Sequence, residues 1–340
     1  MLTNPFLLYN RIKDIDNCNI TLHRIDDKVT SLKEMKKKMT DFKDEILKLK
    51  KEKNAVILAH TYQNIEIDEV ADFVGDSLYL SQMAKNTDAE TIVFAGVYFM
   101  AETAKIMSPE KKILLPRLES GCMMADMINL QQLREFKAKH PNIPTVCYIN
   151  SSAEVKSECD ICCTSSNAVK IVKSLNAKEV LFVPDTYLGT WVGTQLDGVK
   201  VITYPGYCPT HLRITTEDIE EKRKQYPDAV VLAHPECHQN VAGMADYVGS
   251  TTGIMNFAKE SDKKTFIIAT ELGVVERLER DYPHKKFVLV SPKAICPNMK
   301  WHFQEDILNA LKFDQYEVVV DLEIAKKAFN CINRMLEVSK

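Results

Sequence analysis

The chain reads as an α/β protein of three pseudo-symmetric units, each a three-layer αβα domain with a short parallel sheet, arranged around a central active site. Three observations predict this. From residue 55 onward short apolar runs alternate with helical patterns, which is the signature of strand–helix–strand units. The runs are continuously apolar rather than alternating, as in parallel strands covered on both faces. The chain also repeats its own pattern three times.

Residues 1–39 read as an N-terminal extension, and the first 30 of them show no periodicity. A helical stripe then runs through Met35, Met39, Phe42, Ile46 and Leu49. Its lysine face is interleaved with Glu34, Asp41, Asp44 and Glu45, so it reads as a solvated helix face rather than a nucleic-acid patch. The strand candidates are AVILAH (55–60), TIVFAGV (91–97), KILLPRL (112–118), TVCYIN (145–150) and EVLFVPD (179–185). KVITYP (200–205), AVVLAH (229–234), TFIIATE (265–271) and KFVLVSP (286–292) complete the set. Leu322 to Leu336 reads as a helix with Ile324, Ala328, Cys331 and Met335 on one stripe. The predicted organisation is repeat 1 over 40–130 with the C-terminal helix 315–340 packed on it, repeat 2 over 131–220 and repeat 3 over 221–314.

Each repeat runs from a strand ending in a polar residue, through a small-hydroxyl turn and a strand–helix unit, to a strand that enters a cysteine. His60 to Cys122 and His234 to Cys296 are both 62 residues apart, and Asn150 to Cys208 is 58. The three cysteines are themselves 86 and 88 residues apart. Ligands of parallel α/β sheets bind beyond the carboxyl ends of the strands, where all these residues fall. Three equivalent loops then bring three thiols to one axis. Three thiolates on a 4Fe–4S cube leave one iron without a protein ligand, able to act as a Lewis acid.

The composition sets outer bounds. The net charge of −3 argues against nucleic acid or an anionic membrane as the main partner, and no apolar run approaches the length of a membrane span. The start lacks a signal-peptide pattern, so a reducing, cytoplasmic setting is expected. There the ten cysteines favour metal binding or buried thiols over disulfides. Alone, Cys122, Cys208 or Cys296 would read as a buried thiol, but their matching repeat positions favour ligands. CDICC carries a C-x-x-C at Cys159 and Cys162, yet no second pair completes a zinc site, and the motif falls on an internal strand of repeat 2. A zinc or thiol-redox protein using Cys159, Cys162, Cys163 and Cys237 stands as the alternative reading. A third reading keeps the cluster but makes it a redox sensor.

His60 and His234 share one repeat position and read as an anion-binding pair. Tyr62 and Glu236 follow them by two residues and read as a proton-transfer pair. Ser77, Ser165 and Thr251 precede helical patterns, either as N-caps or as part of anion-binding helix starts.

The stretches ILAHTYQ, GDSLYLSQMA, VFAGVYFMAETAKIM, LPRLESGCMMAD, CYINSSAEVK, YPGYCPTH, HPEC, GSTTGI and SPKAICPNMK resemble the quinolinate synthase family over about residues 40–340. The resemblance implies condensation of iminoaspartate with dihydroxyacetone phosphate to quinolinate, phosphate and two waters, on the way to NAD. It implies one 4Fe–4S cluster on Cys122, Cys208 and Cys296, with Tyr62 and Glu236 as acid–base residues. His60, Ser77, Tyr148, Asn150, Ser165, His234 and Thr251 are then substrate-binding groups. Transfer of the unstable iminoaspartate from L-aspartate oxidase is a further implied partnership. Some family members carry C-x-x-C-x-x-C ending at the last ligand; here Lys293 and Val290 stand at those places, so that redox pair is absent.

Overall fold

The structure, a computed structural model, describes residues 42–340, of which Ile46–Lys340 form one compact unit. Met35, Met39 and the unpatterned first 30 residues lie outside the described residues. Residues 42–52 are helical, as the stripe through Ile46 and Leu49 predicts.

Three four-stranded sheets follow, every strand pair parallel. The first holds β1 (Ala55–His60), β2 (Phe73–Gly75), β3 (Thr91–Ala95) and β4 (Lys112–Leu114) in the order β2-β1-β3-β4. The second holds β5 (Thr145–Tyr148), β6 (Ile161–Cys163), β7 (Glu179–Val183) and β8 (Lys200–Thr203) in the order β6-β5-β7-β8. The third holds β9 (Val230–Ala233), β10 (Tyr247–Val248), β11 (Thr265–Ala269) and β12 (Lys286–Leu289) in the order β10-β9-β11-β12. One topology is thus used three times, with helices on the sheet faces. All nine expected strands are present. The continuous apolar runs are explained by burial: every residue of β3 and β5 is buried.

The three edge strands β2, β6 and β10 are additional to those nine, and β6 makes the CDICC segment an edge strand rather than an internal one. Each is short because an aspartate does part of its work. Asp72, Asp160 and Asp246 each precede an edge strand. Each carboxylate accepts, at 2.7 Å, the N–H of a residue fifteen positions earlier at the start of the central strand: Ile57, Thr145 and Val231. Their own N–H groups donate back to the carbonyls of those residues. This reciprocal pair fixes the register where two or three ladder bonds could not.

After each cysteine loop comes an equivalent helix: Leu130–Ala138, Thr216–Gln225 and Gln304–Phe313. Gln132, Asp218 and Asp306 each accept the backbone N–H three residues earlier, the returning half of a capping box. The chain then returns to the first sheet, where Tyr316 and Val318 pair with Leu115 and Ile113 beside β4. The C-terminal helix, Leu322–Val338, was expected on repeat 1. It packs on Tyr98–Met107 of that repeat, and also on Ala153–Ser157 and β6 of repeat 2. Its stripe is broad enough for both, with Ala328, Cys331, Ile332, Met335 and Leu336 buried.

Candidate active site

The carboxyl ends of the three sheets open on one cavity. All twelve residues singled out from the sequence line it: His60, Tyr62, Ser77 and Cys122 from the first repeat, Tyr148, Asn150, Ser165 and Cys208 from the second, and His234, Glu236, Thr251 and Cys296 from the third. Sequence separation of more than 230 residues is thus closed by the strand-end rule.

The cysteines are presented by similar turns. Cys208 caps Pro209–Leu212 and Cys296 caps the 3₁₀ turn Pro297–Lys300, while Cys122 leads into the turn Ala125–Met127. Proline in the first helical position gives up no useful N–H and presets the turn. The turns aim backbone N–H groups two and three residues ahead at sulfur: Met124 and Ala125 at Cys122, His211 at Cys208, Asn298 and Met299 at Cys296. Asn298 also donates to the Gly121 carbonyl at 2.7 Å, tying two cysteine loops together. Burial is the main cause that raises all three thiols, Cys122 to about 12 and Cys208 well above its usual value; Cys296 adds to the rise at Cys122, Glu236 and then Cys296 at Cys208, and Glu271 at Cys296. A proton is retained there until a cation replaces it. Three half-buried thiols on one cavity wall, each cushioned by N–H donors, fit a soft polynuclear cluster. Ligands of a cube bind different irons, so their sulfurs need not converge on a point. The group tight enough for a single ion, among the described residues, is Cys208, His211 and Glu236. There, however, the His211 ring is already engaged at both nitrogens.

Those engagements form a chain. Tyr148 donates its hydroxyl to Glu236, and His211 Nδ1 lies 2.8 Å from the other carboxylate oxygen. His211 Nε2 meets Thr270 Oγ1 at 2.9 Å, Thr270 Oγ1 meets Tyr62 Oη at 3.1 Å, and Tyr62 Oη meets Thr251 Oγ1 at 2.9 Å. Glu236 and Tyr62 are therefore joined through His211 and Thr270. Burial opposes ionisation of Glu236, but the adjacent His211 and His234 and the bonds from His211 and Tyr148 hold it down to about 2. Burial, with the Glu236 charge, pushes the Tyr62 and Tyr148 phenols well above their usual value. The cavity thus holds an ionised carboxylate beside two protonated phenols.

His60 and His234 sit alike. The N–H of Tyr62 donates to His60 Nδ1 at 3.1 Å, and that of Glu236 to His234 Nδ1 at 3.3 Å. Each ring therefore carries its proton on Nε2, and His234 Nε2 lies 3.2 Å from Ser165 Oγ. Burial lowers both rings from 6.5 to about 3. They are neutral N–H donors, so an anion here would be met by hydrogen bonds and helix starts. Ser77 and Thr251 are the first residues of the helices Ser77–Asn86 and Thr251–Glu260, whose N-caps are Asp76 and Ser250. Ser165 lies two residues before the N-cap Asn167 of Ala168–Ser174. The small-hydroxyl residues are thus neighbours of the caps rather than the caps themselves. Asn150 Oδ1 is buried without a protein partner, an open valence on the cavity wall.

Cys159, Cys162 and Cys163 belong to repeat 2 away from the cavity, and Cys237 is buried in the core of repeat 3. The four are not brought together. His211, Thr270, Glu271, Asp76 and Asn298 were missed. Thr270 and Glu271 directly follow β11, so the strand-end rule applied to the second central strand finds them. His211 has no repeat-mate and gave no such signal.

Fold and cavity define a class: three parallel α/β repeats that meet at a thiol-bearing pocket holding an ionised carboxylate and protonated phenols. The family model described as quinolinate synthetase A protein matches residues 44–337. A protein named quinolinate synthase from Alkaliphilus metalliredigens is 53% identical over 299 residues, covering 88% of this chain and 99% of its own. One of the same name from Dehalococcoides mccartyi is 53% identical over 294 residues, covering 86% and 97%. Quinolinate synthase 2 of Methanosarcina acetivorans is 52% identical over 296 residues, covering 87% and 95%. The chain belongs to the quinolinate synthase family.

Proposed function

We propose that the protein condenses iminoaspartate with dihydroxyacetone phosphate to quinolinate, phosphate and two waters, in de novo NAD biosynthesis. The observation that carries this is the meeting of three repeat-equivalent cysteines with Glu236 and Tyr62 in one cavity of a family member. Cys122, Cys208 and Cys296 would hold a 4Fe–4S cluster, which supplies a Lewis-acidic iron to the dehydration when bound.

The chain's own groups do the rest. Glu236, ionised and buried, takes a proton from carbon next to the imine or carbonyl; such positioned bases are worth about 10²–10⁴-fold. Tyr62, protonated and hydrogen-bonded to Thr251 and Thr270, donates a proton to a departing or forming oxygen. The chain through Thr270 and His211 returns the proton from Glu236 to Tyr62 between steps. His60, His234, Ser165, Tyr148 and Asn150 supply neutral donors and acceptors to the substrate carboxylates. The helix starts at Ser77 and Thr251 offer free N–H groups to a phosphate or carboxylate.

The three sheets are read as three domains with boundaries near residues 130 and 220. A cytoplasmic setting and direct receipt of iminoaspartate from L-aspartate oxidase belong to the same reading, without nucleic acid or membrane. Among the described residues no helix is long and apolar enough to cross a membrane.

The test is anaerobic purification with iron, sulfide and zinc measured per chain beside a quinolinate-forming assay. About four irons and four sulfides with turnover are expected. Each of Cys122→Ser, Cys208→Ser and Cys296→Ser should lose the cluster, while Cys159→Ser retains it. Iron without turnover would overturn the roles of Tyr62 and Glu236, and zinc in place of iron would overturn the cluster.

A further inference from the structure

Four cysteines outside the cavity lie in a line under the C-terminal helix. Cys147 on β5 and Cys162 on β6 are direct register partners, so both side chains leave the sheet on one face. Cys163 leaves on the other face by alternation. Cys331 brings its Sγ to 3.3 Å from that of Cys162. Cys159, half-buried at the turn before β6, lies close enough to Cys147 to shift its thiol, as its register partner Cys162 does. The cysteines are therefore neighbours in the order Cys159, Cys147, Cys162, Cys331, running inward from the partly exposed end.

The second link is built to be a nucleophile. Ser151 Oγ lies 3.0 Å from Cys147 Sγ. Lys156, fully buried, donates to the Ser151 carbonyl and stands 5.3 Å over the Phe99 ring, held beside the thiol line. Burial alone would raise the Cys147 thiol. Hydrogen bonds from Cys159 and Cys162, the Lys156 charge and Ser151 together pull it well below its usual value. A thiolate at that place attacks either neighbour. The linear order argues against a single-ion site, since the group tight enough for one ion among the described residues is the one in the cavity.

We propose that these cysteines form a thiol–disulfide relay that carries oxidation from Cys159 to a Cys162–Cys331 disulfide, fastening the C-terminal helix to β6. A low-molecular-weight disulfide is the oxidant. Cys159 attacks it and passes its own proton to the departing sulfur, forming a mixed disulfide and releasing one thiol. Cys147 attacks Cys159 Sγ, forms the Cys147–Cys159 disulfide and expels the second thiol. Cys162 then attacks Cys147 and frees Cys159, and Cys331 attacks Cys162 and frees Cys147. The net change oxidises two cysteine thiols to one disulfide and reduces the small disulfide to two thiols. The helix rests on both Tyr98–Met107 and Ala153–Ser157, so the bond clamps elements of two repeats. It does not depend on the proposed reaction.

The experiment incubates the intact, anaerobically purified protein in buffers of oxidised and reduced glutathione. Samples are acid-quenched, blocked with a maleimide and mapped by peptide mass. The expected product is a Cys162–Cys331 linked peptide in the unmutated protein, absent in C331A. In C159A its formation slows by about tenfold or more, because the accessible entry thiol is gone. Oxidation should also slow protease removal of the helix several-fold, by roughly the factor that local opening is suppressed. Glutathione retained on Cys159 with Cys331 fully alkylated would overturn the relay. So would an unchanged rate in C159A, or thiols already occupied by zinc. Because the decisive map is read on the unmutated protein, a variant that folds poorly does not remove the test.

Discussion

Replacing Gly273 by alanine tests whether the catalytic loop is held by contact with the third repeat. Gly273 is the second residue of the helix Leu272–Asp281 and packs against the backbone that follows β1. A Cβ there would stand 2.5 Å from the Thr61 carbonyl oxygen and 2.8 Å from Tyr62 Cα. Real Cβ contacts stay beyond about 3 Å, so the loop must retreat by at least roughly half an ångström. That loop is pinned by Lys300, which donates to the Tyr62 carbonyl at 2.7 Å, and by the Thr61 N–H to the Gly75 carbonyl at 3.0 Å. Retreat moves the bond from the Tyr62 N–H to His60 and the Tyr62 hydroxyl with it. Overpacking of this kind costs about 1–3 kcal/mol. For a chain of this size that lowers the thermal midpoint by about 1–4 °C. Misplacement of a reacting group approaching 1 Å can cost about 10²-fold in rate. The assay is kcat for quinolinate formation beside a thermal melt and an iron measurement. The expected result is a fall in kcat of about ten- to a hundredfold, with iron retained. Full activity together with an unchanged midpoint would refute the packing argument.

Two further outcomes follow from groups already described. Thr270→Val keeps shape but removes the hydroxyl between His211 and Tyr62, so kcat should fall about tenfold while Thr270→Ser stays near the parent; equal rates would break the relay assignment. His302, buried and bonded through Nε2 to Ser120 Oγ, is lowered from 6.5 to about 3 by burial first, with the Arg117 charge adding. Because its folded value is depressed, its contribution is complete above pH 6.5 and is lost as pH falls toward 3. The slope is about 1.4 kcal/mol per pH unit for one such group. Urea titrations at several acidic pH values should therefore show a shallower loss of stability for His302→Gln than for the parent, and parallel curves would disprove it.

Much of the fold was legible because nine strands are largely continuous apolar runs, most of them buried, and because the cysteine loops recur at near-constant spacing. The edge strands were not. Phe73–Gly75, Ile161–Cys163 and Tyr247–Val248 are two or three residues long and pair on one side only, so their pattern is too short to register. The aspartates that substitute for their missing ladder were visible as D-F-V-G, D-I-C-C and D-Y-V-G, but their meaning depends on a partner fifteen residues away. In the cavity, the repeat, the strand-end rule and the family resemblance together named twelve residues that line it. His211 escaped it because its role comes from a helix turn after Cys208, and the neutral state of His60 and His234 escaped because burial is a tertiary quantity. The CDICC motif is similar: its true neighbours are Cys147 and Cys331, and no spacing in the sequence announces a contact with a helix 169 positions away.

The position of the C-terminal helix also constrains how the protein is made. Each sheet is complete within its own stretch of chain, so the contacts within a repeat are comparatively local and can form during synthesis. The helix Leu322–Val338 leaves the ribosome after all three sheets, yet it covers apolar surface on Tyr98–Met107 and β6. Until it arrives, β6 is a bare sheet edge region carrying cysteine side chains on its uncovered face. The growing chain therefore passes through a stage with two nearly finished repeats and an exposed seam between them. Truncation within the last seventeen residues of helix should trap the protein in that aggregation-prone state rather than merely shorten it.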